Sequence, residues 1–122
     1  SAGAIYECMR PKVQDLATEQ AWVLLLNQNF KLIKTVRISS GGISETSVDV
    51  RVVLREALLC NATVVALCHN HPSNNPRPSG DDDRITQRLQ KACETMRIYM
   101  LDHLVITDSD YYSYMENGKL DR

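Results

Sequence analysis

Side chains that commonly bind metals or move protons are concentrated between residues 67 and 83. Two imidazoles, His69 and His71, are followed by the hydroxyl of Ser79 and then by three consecutive carboxylates. The span from His69 to Asp82 covers fourteen residues and lies between an apolar run and an amphipathic segment. A strand, a loop and a helix are therefore predicted to meet here. This density of ligand-type side chains makes the segment the candidate functional site.

The two histidines have the spacing that a metal site on extended backbone requires. Residues i and i+2 of a strand project to the same side, so both rings can reach one point. A catalytic zinc takes three protein ligands of N, S or O type and leaves its fourth position to water. His69 and His71 therefore predict two zinc ligands, and a nearby carboxylate is expected to be the third. The alternative is a pair of histidines with a purely structural role.

Three neighbouring carboxylates, Asp81, Asp82 and Asp83, compete for the third position. Residues of a helix are about 100° apart around its axis, so only one of them can face the histidines. Ser79 and Asp82 also have the Ser-x-x-Asp spacing of a helix N-cap, where acidic side chains are favoured. Beside two histidines, we favour Asp82 as a metal ligand over a role in capping alone.

Two further residues were considered as ligands. Cys68 is adjacent to His69 and should project to the opposite side of the strand, which excludes it. His103 lies inside a predicted strand, next to Asp102, and is expected to be a core residue or a residue that supports a ligand.

The elements that position these side chains follow from hydrophobic periodicity and from turn residues. A short helix is predicted over residues 4–16, broken or begun near Pro11. Asp49 is expected to cap a helix that reaches about Cys60, and Ser40-Gly41-Gly42 is expected to form a loop. Strands are predicted at 21–26, 30–39, 63–68, 98–107 and 111–115, and a second amphipathic helix at 80–97. The order β-β-α-β-loop-α-β-β predicts an α/β fold, in which a mixed sheet packs against helices.

Composition restricts the class of protein. The 122 residues fit one domain, 1–122, in which residues 1–14 are read as an N-terminal helix or, in part, a remnant of cloning, and the chain as a possible fragment. A net charge of -1 gives no global electrostatic footprint for nucleic acid, and no apolar run has membrane length. Four cysteines without a CxxC pair predict buried free thiols and a cytoplasmic location.

The arrangement His69-x-His71, seven residues, Ser79, two residues, Asp82 resembles the signature of JAMM (MPN+) metalloprotease domains. The surrounding sequence is similar to one branch of these domains, the RadC family. The likeness runs from about Asp15 to Tyr114. Its motifs are His-Asn-His-Pro-Ser at 69–73, Pro-Ser at 78–79, Ile-Thr at 85–86, Leu-Asp-His at 101–103 and Tyr-Tyr-Ser at 111–113.

The resemblance implies a cytidine-deaminase-like α/β fold and a set of residue roles. His69, His71 and Asp82 would bind zinc, and Ser79 would hydrogen-bond near the bound water or the oxyanion. Glu19, just before the first strand, matches the family's general acid/base, whereas Glu7 and Glu45 do not. This chain departs from the family's sequence pattern at Asn74, in the loop after the histidines, and at Gln20-Ala21, beside Glu19.

The implied activity is hydrolysis of an amide or isopeptide bond by a zinc-bound water, on a peptide or protein substrate that the sequence does not identify. The alternative is a DNA-repair-associated nucleic-acid-binding protein, or an interaction module stabilised by its metal. Charge does not support the nucleic-acid role. A deaminase is excluded because no His-x-Glu or Pro-Cys-x-x-Cys motif is present. The sequence gives no indication of oligomeric state.

Overall fold

The computed structural model describes residues 1–40 and 48–122. Glu45 and the predicted loop at Gly41-Gly42 lie outside the described residues. The helices are α1 (Ala2–Val13), α2 (Val50–Leu59) and α3 (Gly80–Thr95), and the strands are β1 (Gln20–Leu26), β2 (Leu32–Ser40), β3 (Val64–Asn70), β4 (Tyr99–Ile106) and β5 (Tyr111–Ser113).

Within the described residues the strands form one mixed sheet in the order β2-β1-β3-β4-β5. β1 and β2 form an antiparallel hairpin, and β1 also runs antiparallel to β3. β3 and β4 are parallel, and α3 is the crossover between them, as a parallel pair requires. The predicted α/β fold with a mixed sheet is confirmed.

Helices cover the two faces of the sheet, and β3 lies between them. Val65 and Leu67 pack in a core cluster with residues of α2 and α3. Ala66 and Cys68 point the other way and pack with α1. Every residue of β3 is buried, as its continuous apolar run predicts for a strand in the sheet interior.

Several elements depart from the sequence prediction: β5 ends at Ser113, before its predicted end at 115, Ser40 belongs to β2 and not to a loop, and α1 and β3 also differ. α1 continues through Pro11 instead of breaking there, and it ends two residues later at Val13, although the proline cannot donate to the carbonyl four residues before it. β3 extends to Asn70, two residues beyond the apolar run, because backbone pairing continues on both sides: Ala21 is opposite His69, and Asn70 is opposite Ile106. His69 therefore lies inside the central strand and His71 immediately follows it.

The start of α1 is tied to the domain. Ser1 caps the helix through its side chain, and Ala2, Ile5 and Met9 are buried against the sheet. Arg10 donates a hydrogen bond to the Asp108 carbonyl, 2.8 Å away. No helix in the described ranges is both long enough and apolar enough to cross a membrane.

Candidate metal centre

The two histidine rings converge at the end of β3. The Nε2 atoms of His69 and His71 are 3.1 Å apart. The backbone N–H of His71 donates to the Ile106 carbonyl at 2.8 Å, which keeps the chain extended past the strand and preserves the i, i+2 alignment. The structure therefore brings both predicted ligands to one point.

Asp82 meets the rings from the first turn of α3. One carboxylate oxygen, Oδ1, lies 3.1 Å from His69 Nε2, and the other, Oδ2, lies 3.3 Å from His71 Nε2. The residue is 2% exposed. Oδ2 also accepts a hydrogen bond from the Ser79 backbone N–H at 2.8 Å, so the carboxylate caps the helix while it faces the histidines.

The neighbouring carboxylates point elsewhere, as the helical spacing predicts. Asp81 pairs with Arg84 on the exposed side of α3. Asp83 accepts a hydrogen bond from the Tyr114 hydroxyl at 2.6 Å. Of the three, Asp82 is the one that the helix turns toward the histidines.

Glu19 reaches the same point from a distant part of the sequence. Ala21 is opposite His69 in the antiparallel β1–β3 pair, so Glu19, two residues earlier, is opposite His71. Its Oε1 lies 3.6 Å from His71 Nε2, and its side chain is 25% exposed. Glu19, His69 and His71 each present a possible ligand atom, and these atoms all lie within 4.8 Å of one another, so the group could hold a metal ion.

Asn70 holds the segment that carries Glu19, a role that the sequence did not predict. Its side-chain oxygen accepts from the Gln20 backbone N–H at 2.6 Å, and its side-chain amide donates to the Thr18 carbonyl at 3.0 Å. The peptide groups on both sides of Glu19 are thus bound to a residue that lies between the two histidines. Strand alternation, which sends Asn70 to the opposite face, was the available signal.

Ser79 forms the predicted N-cap of α3. Its hydroxyl oxygen accepts from the Asp82 backbone N–H at 3.1 Å, and together with the reciprocal bond to the Asp82 carboxylate this makes a capping box. The cap uses the oxygen as an acceptor and leaves the hydroxyl proton out of that bond.

His103 lies directly behind His69, as expected of a residue that supports a ligand. Its Nε2 is 2.9 Å from His69 Nδ1, and its Nδ1 is 2.5 Å from the Thr86 hydroxyl. The ring of Tyr114 stacks on it, with centroids 4.8 Å apart. Thr86 was not singled out from the sequence, although it belongs to the Ile-Thr pair of the resemblance.

The remaining candidates lie apart from the convergence point. Cys68 points to the α1 side of the sheet, opposite His69, and burial raises the pKa of its thiol. Asp102 is fully buried and accepts hydrogen bonds from the Ser113 hydroxyl and from the backbone N–H groups of His103 and Met115.

The pKa values of the side chains that meet at this point are shifted from their usual values. Burial acts to raise the pKa of Asp82, but hydrogen bonds with His69 and His71 outweigh burial and hold this pKa well below its usual range. Burial acts to lower the pKa of His71, but its hydrogen bonds to Asp82 and to the Asn75 carbonyl raise it overall. Burial lowers the pKa of His103 well below its usual value, so this ring is neutral.

An open groove leads to the centre between the segment before β1 and the loop after β3. The groove is lined by Ala17, Thr18, Glu19, His71, Pro72 and Ser73.

Comparison with known proteins places these residues in a family. The family model described as a RadC-like JAB domain matches residues 1–119. The chain is 44% identical over 116 residues to a UPF0758 protein of Porphyromonas gingivalis, covering 94% of the chain and 51% of that protein. It is 42% identical over 113 residues to one of Flavobacterium johnsoniae, covering 93% and 49% respectively. The chain thus spans about half the length of the curated relatives it matches. The resemblance drawn from the sequence is confirmed, and the chain belongs to the RadC-like JAB domain family.

Proposed function

We propose that the chain is a zinc-dependent hydrolase that cleaves an amide or isopeptide bond. His69, His71 and Asp82 are the metal ligands, and Glu19 is the general acid and base. The observation that carries the proposal is the convergence of two imidazole nitrogens and a buried carboxylate at one point, beside a second carboxylate that borders an open groove.

The donor atoms fit a tetrahedral ion. Ligand atoms about 2.0 Å from a common centre in tetrahedral geometry are about 3.3 Å from one another. His69 Nε2 is 3.1 Å from His71 Nε2 and 3.1 Å from Asp82 Oδ1, and His71 Nε2 is 3.3 Å from the other carboxylate oxygen, Oδ2. Two nitrogens and one carboxylate are also a ligand set that catalytic zinc uses. Spacing and chemistry both support zinc.

Burial separates the roles of the two carboxylates. The Asp82 side chain is 2% exposed and is fixed by the capping box, which suits a ligand that must not move. The Glu19 side chain is 25% exposed and lines the open groove, which suits a group that exchanges protons with water and substrate.

The site residues can supply every proton transfer that hydrolysis of an amide bond requires. When bound, zinc lowers the pKa of a coordinated water to about 7 and polarises the scissile carbonyl. Glu19 accepts a proton from the attacking water and delivers it to the leaving amine, while the new C–O bond replaces the C–N bond. The Ser79 hydroxyl proton, which the cap does not use, is available to the carbonyl oxygen as negative charge develops.

The groove supports a peptide or protein segment as the substrate, because it is open to solvent and both Glu19 and His71 line it. The four cysteines of the chain are free thiols, which supports a reducing compartment. We therefore place the reaction in the cytoplasm.

Zinc titration tests the ligand set. Wild-type protein should bind one zinc, and His71→Ala and Asp82→Ala should each lose that binding. Asp81→Ala is the matched control, because it removes a carboxylate from the same helical turn but away from the centre, and it should bind as the wild type does. Equal zinc affinity of the Asp82 and Asp81 variants would overturn this ligand set.

Activity separates an enzyme from an interaction module. Wild-type protein should cleave members of a peptide and isopeptide library, and a chelator should stop the cleavage. Glu19→Gln should keep zinc and lose turnover, whereas Glu7→Gln on the exposed side of α1 should retain both. A zinc-loaded wild type that cleaves no member of the library, or a fully active Glu19→Gln, would refute the hydrolase.

A further inference from the structure

His103 and Thr86 form a buried chain of polar contacts behind His69, and the reaction proposed above does not use them. His69 Nδ1 is 2.9 Å from His103 Nε2, and His103 Nδ1 is 2.5 Å from Thr86 Oγ1. Thr86 Oγ1 is in turn 2.7 Å from the backbone carbonyl oxygen of Asp82. His103 is 0% exposed, Thr86 is 1% exposed and His69 is 2% exposed, so water does not complete any of these contacts.

The last contact fixes the direction of the others. A carbonyl oxygen only accepts, so the single hydroxyl proton of Thr86 lies on the contact with the Asp82 carbonyl. The hydroxyl oxygen must therefore accept from His103, whose Nδ1 carries a proton. A buried ring with no carboxylate against it is neutral and has one N–H. His103 Nε2 is then a lone pair, and it accepts from His69 Nδ1.

The reverse direction leaves a contact without a proton. If His103 donated from Nε2 to His69, its Nδ1 would have to accept the Thr86 proton. The Thr86 oxygen and the Asp82 carbonyl oxygen would then face each other at 2.7 Å with no hydrogen between them. An unsatisfied buried contact of this kind costs about 1–3 kcal/mol. The hydrogen bonds therefore have one favourable direction, from His69 to His103, from His103 to Thr86, and from Thr86 to the Asp82 carbonyl.

We infer that Thr86 and His103 are positioning residues that hold His69 as the Nδ1–H tautomer, with the Nε2 lone pair directed at the metal position. This inference rests on the metal centre proposed above. A metal ligand must present a lone pair, and the hydrogen bond made by the other ring nitrogen decides which nitrogen that is. Here the acceptor for His69 is the ring of His103. Its own proton goes to the Thr86 hydroxyl, which in turn donates to the Asp82 carbonyl in the first turn of α3.

His71 reaches the same state by a shorter route. Its Nδ1 is 2.9 Å from the Asn75 carbonyl oxygen, which can only accept, so Nδ1 carries a proton. Its Nε2 faces the centre, where it donates to Asp82 in the metal-free chain and gives up that proton when a metal binds. Both rings thus keep a proton on Nδ1, one through the loop after β3 and the other through β4 and α3, and both turn Nε2 toward the metal position. The Asp82 carbonyl that ends the chain belongs to the residue whose carboxylate faces both rings.

Imidazole ¹⁵N shifts of the zinc-free wild-type chain test the direction without any metal or substrate. The expected result is a protonated Nδ1 on His69 and, on His103, a protonated Nδ1 with an unprotonated Nε2. A protonated Nε2 on His103 would overturn the inference. This measurement uses only the wild-type protein, so it tests the inference even if a substituted variant fails to fold.

Isosteric variants of Thr86 test the consequence for the metal. Thr86→Val keeps the shape but removes the acceptor for His103, so His103 shifts toward the Nε2–H form and His69 Nε2 must lose a proton before it binds. Zinc affinity, measured by chelator competition, should fall by about 10- to 100-fold, as is usual when a partner behind a metal ligand is lost. Thr86→Ser restores the hydroxyl and should restore wild-type affinity.

The outcomes separate the two proposals. If the wild-type protein binds no zinc, the proposed metal centre is wrong, and so is the proposed role of Thr86 and His103 in preparing a metal ligand. The ¹⁵N shifts alone decide which way the hydrogen bonds among His69, His103 and Thr86 run. Wild type that binds zinc, together with a folded Thr86→Val of equal affinity, leaves the metal centre standing and overturns the inference.

Discussion

Asn70 should control turnover without controlling metal affinity, and Asn70→Ala tests this. Its amide binds the peptide groups on both sides of Glu19, at 2.6 Å to the Gln20 N–H and at 3.0 Å to the Thr18 carbonyl. The substitution removes both hydrogen bonds and leaves the histidine rings on the other face of β3 untouched. Glu19 then loses the contacts that fix its backbone opposite His71.

The size of the effect follows from the two bonds. Asn70 is 3% exposed, so both are shielded from water. At about 0.5–1.5 kcal/mol each, their loss should lower the free energy of unfolding by about 1–3 kcal/mol. For a domain of this size, roughly 4 °C per kcal/mol corresponds to a fall in Tm of about 4–12 °C. A displacement of Glu19 by about 1 Å should lower kcat by about 100-fold.

Three measurements on the same samples separate these effects. Circular dichroism follows Tm, chelator competition gives the zinc affinity, and kcat is measured on a substrate found in the library. Asn70→Asp keeps an acceptor for Gln20 but turns a buried carboxylate oxygen toward the Thr18 carbonyl oxygen, so its Tm should fall at least as far as that of Asn70→Ala. Asn29→Ala, in the exposed turn after β1, is the matched control and should change none of the three quantities.

Comparing the changes in kcat, Tm and zinc affinity tests the role assigned to Asn70. Turnover and Tm should fall in Asn70→Ala while zinc affinity stays at the wild-type value. If zinc affinity fell as far as turnover, Asn70 would be acting on the histidines. An unchanged kcat would show that the position of Glu19 does not depend on these two hydrogen bonds.

Four other outcomes are expected. The raised pKa of His71 stabilises the zinc-free fold below about pH 6.5, and this contribution is lost as pH rises through the folded value. The lowered pKa of Asp82 stabilises it above about pH 4 and is lost on acidification, so chemical denaturation should give greatest zinc-free stability between these limits. Zinc affinity should rise with pH as His71 loses its proton. Ser79→Ala should cost about 1 kcal/mol of stability through the lost cap and, if the hydroxyl assists the oxyanion, lower kcat by about 100-fold. Met9→Ala should destabilise by about 2–5 kcal/mol in urea unfolding because Met9 is fully buried, whereas the half-exposed Met96→Ala should cost little.

The sequence was most informative where geometry is local. The pairing of His69 with His71 depends on strand alternation over two residues, and the choice of Asp82 over its neighbours depends on one helical turn. Both follow from fixed backbone periods, so the structure could be anticipated at these positions. The boundaries of α2 and its Asp49 cap followed from the same kind of signal.

Long-range pairing could not be anticipated from the residues themselves. Glu19 is 50 residues from His69, and the two meet only because β1 pairs with β3 in one particular register. The family text pointed to Glu19, whereas periodicity did not. Asn70 and Thr86 were missed because an asparagine at a strand end and a threonine in a helix have many uses, and their partners are decided by packing.

The Asp82 carboxylate has two tasks, and this restricts how the site can change. It closes the capping box with Ser79 and it faces both histidines. A relative that gave up the metal by replacing Asp82 would also weaken the start of α3, whereas one that replaced Glu19 would lose only the proton carrier. Inactive descendants of this domain should therefore more often have lost Glu19 while retaining an intact aspartate at the helix start.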